Sequence, residues 1–195
     1  KEITDLYKAN SLRPYSVCLD YIIDHSILDP IENSGMHSVE ECIKVACELG
    51  VEILVLPLLE ASAVTIDNMP SMIKAAQRMG NLALQHNIIL CVETLLPAGA
   101  LNDFVNSIDM PNVKAVFDTG NRALETASLK DDIIKLGKNI SHVHIKDKNQ
   151  DGENVVLGSG IVDFCSVFKG LLEIDYRGAL NFETNRGAVP LDTAR

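Results

Sequence analysis

The sequence predicts a parallel α/β fold. Short apolar runs alternate with amphipathic helical segments along the chain, the order expected of parallel strands joined by crossover helices. Four of the apolar runs end in a residue able to ligate a metal: Glu93, Asp118, His144 and Glu183. No composition shift, low-complexity tract or Pro/Gly/Ser linker interrupts the pattern, so residues 1–195 are expected to form a single domain.

The opening KEITDLYKANSLR reads as the end of a helix leading into a strand at residues 15–20 (YSVCLD). Residues 37–49 carry helical periodicity, with Ser38 as the expected N-cap, Glu41 completing a capping box and Gly50 as the stop. Residues 52–57 (EILVLP) are continuously apolar, as in a strand covered on both faces. A long helix at 70–86 precedes a strand at 88–94, and a helix at 100–108 precedes a strand at 113–118. A helix at 129–136 leads to a strand at 140–145, and a helix at 164–172 leads to a last strand at 179–183. Residues 146–163 are polar and Gly-containing and form the longest irregular stretch; such loops at the carboxyl ends of strands are more often functional than structural.

Six strands are two fewer than a (β/α)8 barrel requires, and that fold takes about 250 residues. The simplest reading is an α/β (β/α)8 TIM barrel lacking its first two βα units and its last helix in this chain. An open six-stranded doubly wound sheet is the alternative, and the apolar strands fit both.

With 195 residues, 47% of them hydrophobic, the chain can bury a sizeable core. A net charge of −10 argues against broad nucleic-acid or anionic-membrane surfaces, which need basic patches. No apolar run reaches the length of a membrane span and no signal-peptide pattern opens the chain, so a cytoplasmic location is expected. The cysteines, at 18, 42, 47, 91 and 165, contain no CxxC pair. They read as buried small hydrophobes in a reducing compartment.

Each site residue has a plain alternative. Glu93 and Glu183 read as solvated strand-end carboxylates or as ligands. Asp118, in FDTGN, reads as an Asx-turn or helix cap, with Asn121 placed to meet a substrate hydroxyl. His142 and His144 share one side of their strand, because side chains alternate. His144, nearer the carboxyl end, is the better ligand, and His142 is expected behind it. A parallel sheet or barrel gathers the carboxyl ends of its strands on one face, so three carboxylates and an imidazole would converge on a divalent ion. Lys146, Asn121 and Arg186 are the candidate substrate contacts. Gly158–Ser159–Gly160 reads first as a flexible turn and second as a set of N–H donors for a phosphate. No ligand role is given to His25, His37 or His86, and the pairs Glu40–Glu41 and Asp131–Asp132 read as solvated helix faces.

The blocks ILCVETL, VFDTGN, HVHIKD, LGSGIVDF and YRGALNFE together resemble the xylose-isomerase-like TIM-barrel superfamily. They are most similar to its sugar-phosphate isomerases and epimerases, including the ketose 3-epimerase and L-ribulose-5-phosphate 3-epimerase branches. The resemblance implies that Glu93, Asp118, His144 and Glu183 hold one divalent ion (Mn2+, Mg2+, Co2+ or Zn2+), and that Glu93 and Glu183 are also the acid–base pair. It makes residues 15–20 and 52–57 the third and fourth barrel strands. Some epimerases carry His where this chain has Asn121, and Arg in the region of Lys146 and Lys148. The implied activity is isomerisation or epimerisation of a ketose or ketose phosphate through an enediolate, by a soluble carbohydrate enzyme that binds neither nucleic acid nor membrane and is compatible with a homo-oligomer. The alternative is a metal-dependent dehydratase of an inositol- or shikimate-like keto compound. Further alternatives are an endonuclease-IV-like DNA repair enzyme and a metal-free binding protein.

Overall fold

The computed structural model describes residues 2–184. In chain order the elements are α1 (Glu2–Ala9), β1 (Ser16–Cys18), α2 (Tyr21–Asp24), α3 (Ser34–Leu49), β2 (Ile53–Pro57), α4 (Met69–Gln85), β3 (Ile89–Glu93) and α5 (Ala98–Ile108). There follow β4 (Val113–Asp118), α6 (Thr119–Ala123), α7 (Leu129–Leu136), β5 (Ile140–Ile145), β6 (Asp147–Lys148), β7 (Asn154–Val155), α8 (Phe164–Glu173) and β8 (Leu180–Phe182). Six strands form one sheet in the order β1-β2-β3-β4-β5-β8, and β6 and β7 form a separate hairpin. The ladders β1-β2, β2-β3, β4-β5 and β5-β8 are parallel, as the alternating pattern requires. No described helix is long and apolar enough to cross a membrane.

The chain divides into two compact units, Lys1–Thr94 with Asp103–Lys114 and Leu95–Asn102 with Ala115–Arg195. In the first, all five residues of β2 are buried, and Leu54 and Leu56 pair with Leu90 and Val92 of β3. Gly80 of α4 leaves no room for a side chain: an added Cβ would stand 2.7 Å from Met110 Sδ and 2.8 Å from Val113 Cγ2. Asn112 then anchors the entry to β4, its Nδ2 donating to the carbonyls of Gly80 and Ile88. Helix α3 ends where expected, on Gly50 at φ 68°, but the expected capping box does not form. Asn33 stands at the cap position in the left-handed region, and Ser38, the fifth residue of the helix, donates its hydroxyl to the Gly35 carbonyl.

In the second unit, Ala115 of β4 pairs with Ile140 and Val116 pairs with His142, so a bulge skips Ser141. Asp118 then lies opposite His144, and His144 opposite Asn181 of β8. Helices α7 and α8 pack closely, because Gly170 of α8 lies where a Cβ would meet Ile133 at 3.1 Å. Residues 146–163, expected to be irregular, contain the β6-β7 hairpin.

Two burial expectations are overturned. Cys42 and Cys91 are buried, but Cys18, Cys47 and Cys165 are exposed; Cys18 is the open end of a three-residue strand and Cys47 lies on the outer side of α3. Asp132, expected on a solvated face, is buried against Arg122, whose Nη2 stands 2.6 Å from Asp132 Oδ2. Glu40 and Glu41 do lie at the surface, paired with Arg78 and Lys44.

Candidate functional site

In the first unit, Glu93 is the last residue of β3; its side chain is buried and its carbonyl accepts the Leu58 N–H at 2.8 Å. A carboxylate at the end of an apolar strand is costly to bury without a partner. Glu93, Asp118 and His144 are all buried, and each offers a ligand atom for a metal ion.

The second unit brings together Asp118, His144, Lys146 and Glu183. Asp118 closes β4 and caps α6: its Oδ1 accepts the backbone N–H of Asn121 at 2.8 Å. The cap leaves Oδ2 facing the site, 3.0 Å from Lys146 Nζ and 3.7 Å from His144 Nδ1. Glu183 Oε2 lies 3.1 Å from the same imidazole nitrogen and 2.8 Å from the same ammonium. Two carboxylate oxygens thus meet one ring nitrogen and one ammonium. That donor set suits a divalent ion of oxygen and imidazole preference, so the residues fit the implied metal.

Lys146 is held from three sides. Thr119 Oγ1 accepts its backbone N–H at 2.9 Å and donates to its carbonyl at 2.6 Å. Gly120 admits its stem, since a Cβ there would come within 3.0 Å of Lys146 Cγ. Asp118 and Glu183 hold its head. The run Asp118-Thr119-Gly120 is therefore a seat for Lys146, a role that spacing along the chain could not reveal.

These contacts set the protonation states. Burial raises the pKa of Asp118, but the neighbouring His144, the Lys146 charge and the Asn121 N–H outweigh it and hold the carboxyl below its ordinary range. Burial likewise opposes ionisation of Glu183, and His144 and Lys146 reverse the balance. Lys146 is disfavoured as a cation by burial, yet the Asp118 and Glu183 carboxylates lift its pKa above the usual lysine value. His142 is fully buried, with its ring edge-on to His144 at a centroid distance of 5.0 Å. Burial first, and the His144 charge second, pull its pKa down to about 4.

The other predicted residues are distributed as follows. Asn121 lies on α6, its backbone engaged by Asp118. Arg186 lies outside the described residues. The Gly158–Gly160 turn does not present free N–H donors: those of Gly158 and Gly160 both point to Asp147 Oδ2 at 2.9 Å, and the Val162 N–H points to Oδ1. The turn already has its anion, the Asp147 carboxylate, so the phosphate reading is withdrawn. Arg122 was not singled out from the sequence; besides Asp132 it donates to the Leu96 carbonyl, fixing the loop that follows β3.

A family model described as "Xylose isomerase-like TIM barrel" matches residues 1–195. The chain belongs to that family. Among curated relatives, the L-ribulose 3-epimerase of Methylomonas sp. (strain DH-1) is 27% identical over 126 residues, 60% of this chain and 43% of that protein. The D-psicose 3-epimerase of Enterocloster bolteae is 31% identical over 81 residues, 42% of this chain and 26% of that protein. The chain spans less than half the length of these relatives. Among solved structures, a xylose isomerase domain protein from Planctomyces limnophilus superposes with a TM-score of 0.82 at 20% identity, covering 98% of this chain and 76% of that one. As a xylose isomerase-like TIM barrel, the chain carries its six parallel strands as part of a (β/α)8 barrel, and the open doubly wound alternative is set aside.

Proposed function

We propose that residues 1–195 are part of one barrel domain that isomerises or epimerises a ketose or ketose phosphate with the help of a divalent ion. The observation that carries this reading is the convergence of Asp118, His144 and Glu183 on one cation position. The names of the two curated relatives, both ketose 3-epimerases, point the same way.

Glu93, Asp118, His144 and Glu183 would hold the ion. When bound, a divalent ion supplies Lewis-acid polarisation of a sugar carbonyl and makes the neighbouring C–H more acidic. The protein's own groups do the rest. Asp118, tied by Oδ1 to the Asn121 N–H, has Oδ2 left for the ion. His142, packed edge-on to His144, limits the rotation of that ring. One of Glu93 and Glu183 takes the α-proton as general base and the other returns a proton to the enediolate. Carboxylates on opposite faces of the substrate plane invert the centre; one carboxylate serving two adjacent carbons isomerises the sugar. Asn121, Lys146 and Arg186 are the proposed substrate contacts.

The test is α-proton exchange with solvent deuterium, on a panel of free and phosphorylated ketoses with Mn2+ present. Glu93→Gln and Glu183→Gln should each lower exchange by about 10²-fold or more while the protein stays folded. Exchange retained in both variants overturns the acid–base assignment. A product lighter by one water assigns a dehydratase instead.

A further inference from the structure

We propose that Lys146 is a built-in counter-cation: in the metal-free protein it occupies the carboxylates that a divalent ion needs, and it must release them when the ion binds. The inference rests on the metal assignment made above.

Three observations carry it. First, the Lys146 ammonium and the His144 ring nitrogen meet the same two oxygens, Asp118 Oδ2 and Glu183 Oε2. A divalent ion taking those oxygens would meet the ammonium at contact range, where two positive charges in a buried setting repel strongly. Second, Lys146 does not fall into this place by surface flexibility. Its side chain is nine-tenths buried, with its backbone fixed by Thr119 and its stem admitted by Gly120. Third, the neighbourhood needs a cation: a buried Asp118 carboxylate with no counter-charge would be costly, and Lys146 removes that cost while no ion is present. The ammonium therefore has to leave those oxygens before an ion can take them. Its displacement then frees an ammonium beside the site for an anionic oxygen of the substrate.

The roles predict opposite signs. A lysine that only contacts substrate leaves metal affinity unchanged when removed, and a lysine that builds the ligand geometry weakens it. A competing counter-cation strengthens it. The experiment measures Mn2+ affinity of the metal-stripped chain by competition with a fluorescent chelator, with no sugar present, for wild type, Lys146→Met and Lys146→Arg. Lys146→Met should bind Mn2+ roughly tenfold more tightly, within the usual range of coupling between two ligands. Its metal-free form should melt below the metal-free wild type, and Mn2+ should close that gap. Lys146→Arg restores the charge and should return affinity to the wild-type value or below. If Lys146→Met does not fold by circular dichroism, Lys146→Gln gives the same reading. Equal or weaker Mn2+ binding by the neutral variants overturns the inference and leaves the metal assignment standing. No Mn2+ binding by wild type or any variant removes both.

Discussion

His142 shows how far one side chain can be bent by its surroundings. It is fully buried beside a second imidazole, and its pKa falls to about 4. In the unfolded chain a histidine titrates near about 6.5. Between those values the unfolded chain takes up a proton that the folded chain refuses, so acidification favours unfolding across that window. The stability held by neutral His142 is thus complete above about 6.5 and is lost as pH falls toward 4. Urea midpoints of the metal-stripped protein, taken in steps across this range, should fall steadily. His142→Phe should flatten the profile; an unchanged slope would place the acid sensitivity elsewhere. The same residue was legible in the sequence as a companion of His144, through the two-residue alternation of SHVHIKD. Its depressed pKa was not, because that depends on which elements cover the strand.

At the scale of elements, α6 and α7 are joined by the Arg122–Asp132 pair, 2.6 Å apart and almost wholly buried. Removing one partner strands the other charge, which costs about 3–5 kcal/mol at buried pairs. Asp132→Ala should therefore lower unfolding free energy by about that amount, read by urea denaturation, and Arg122→Met on top of it should recover part of the loss. The helix α7 and the strands β4 and β5 fell on the residues the periodicity indicated. Helix starts were harder. The α3 cap is Asn33, in the left-handed region, several residues before the Ser38 signal, because that choice depends on Gly35 packing against the His25 and Ser26 carbonyls. The short α2, α6 and β6-β7 pieces have too few residues to show a period. Nothing local in NQDGEN says that the turn beyond it wraps the Asp147 carboxylate.

For the molecule as a whole, an ion that binds only the folded chain should stabilise it by mass action. Mn2+ at about a hundred times its dissociation constant should add about 2.7 kcal/mol to unfolding free energy relative to protein in EDTA. Coincident melting curves with and without Mn2+ would argue against a site in this chain. The parallel order and the placing of Glu93, Asp118 and His144 at strand ends were readable because both follow from counting along the chain. The seat for Lys146 was not, since Thr119 and Lys146 are 27 residues apart and meet only through folding. One extra residue also decides the site. Side chains on a strand alternate like odd and even numbers, and paired residues share a side. Were β4 and β5 in step throughout from Ala115 and Ile140, Asp118 would sit opposite Val143, and His144 would turn its ring to the other face of the sheet. By stepping over Ser141 the ladder changes parity once, midway, and Asp118 and His144 come up on the same side. Ser141 touches none of the chemistry, yet a ladder that paired it with Val116 instead of passing over it would keep every candidate ligand in the chain and put two of them out of phase.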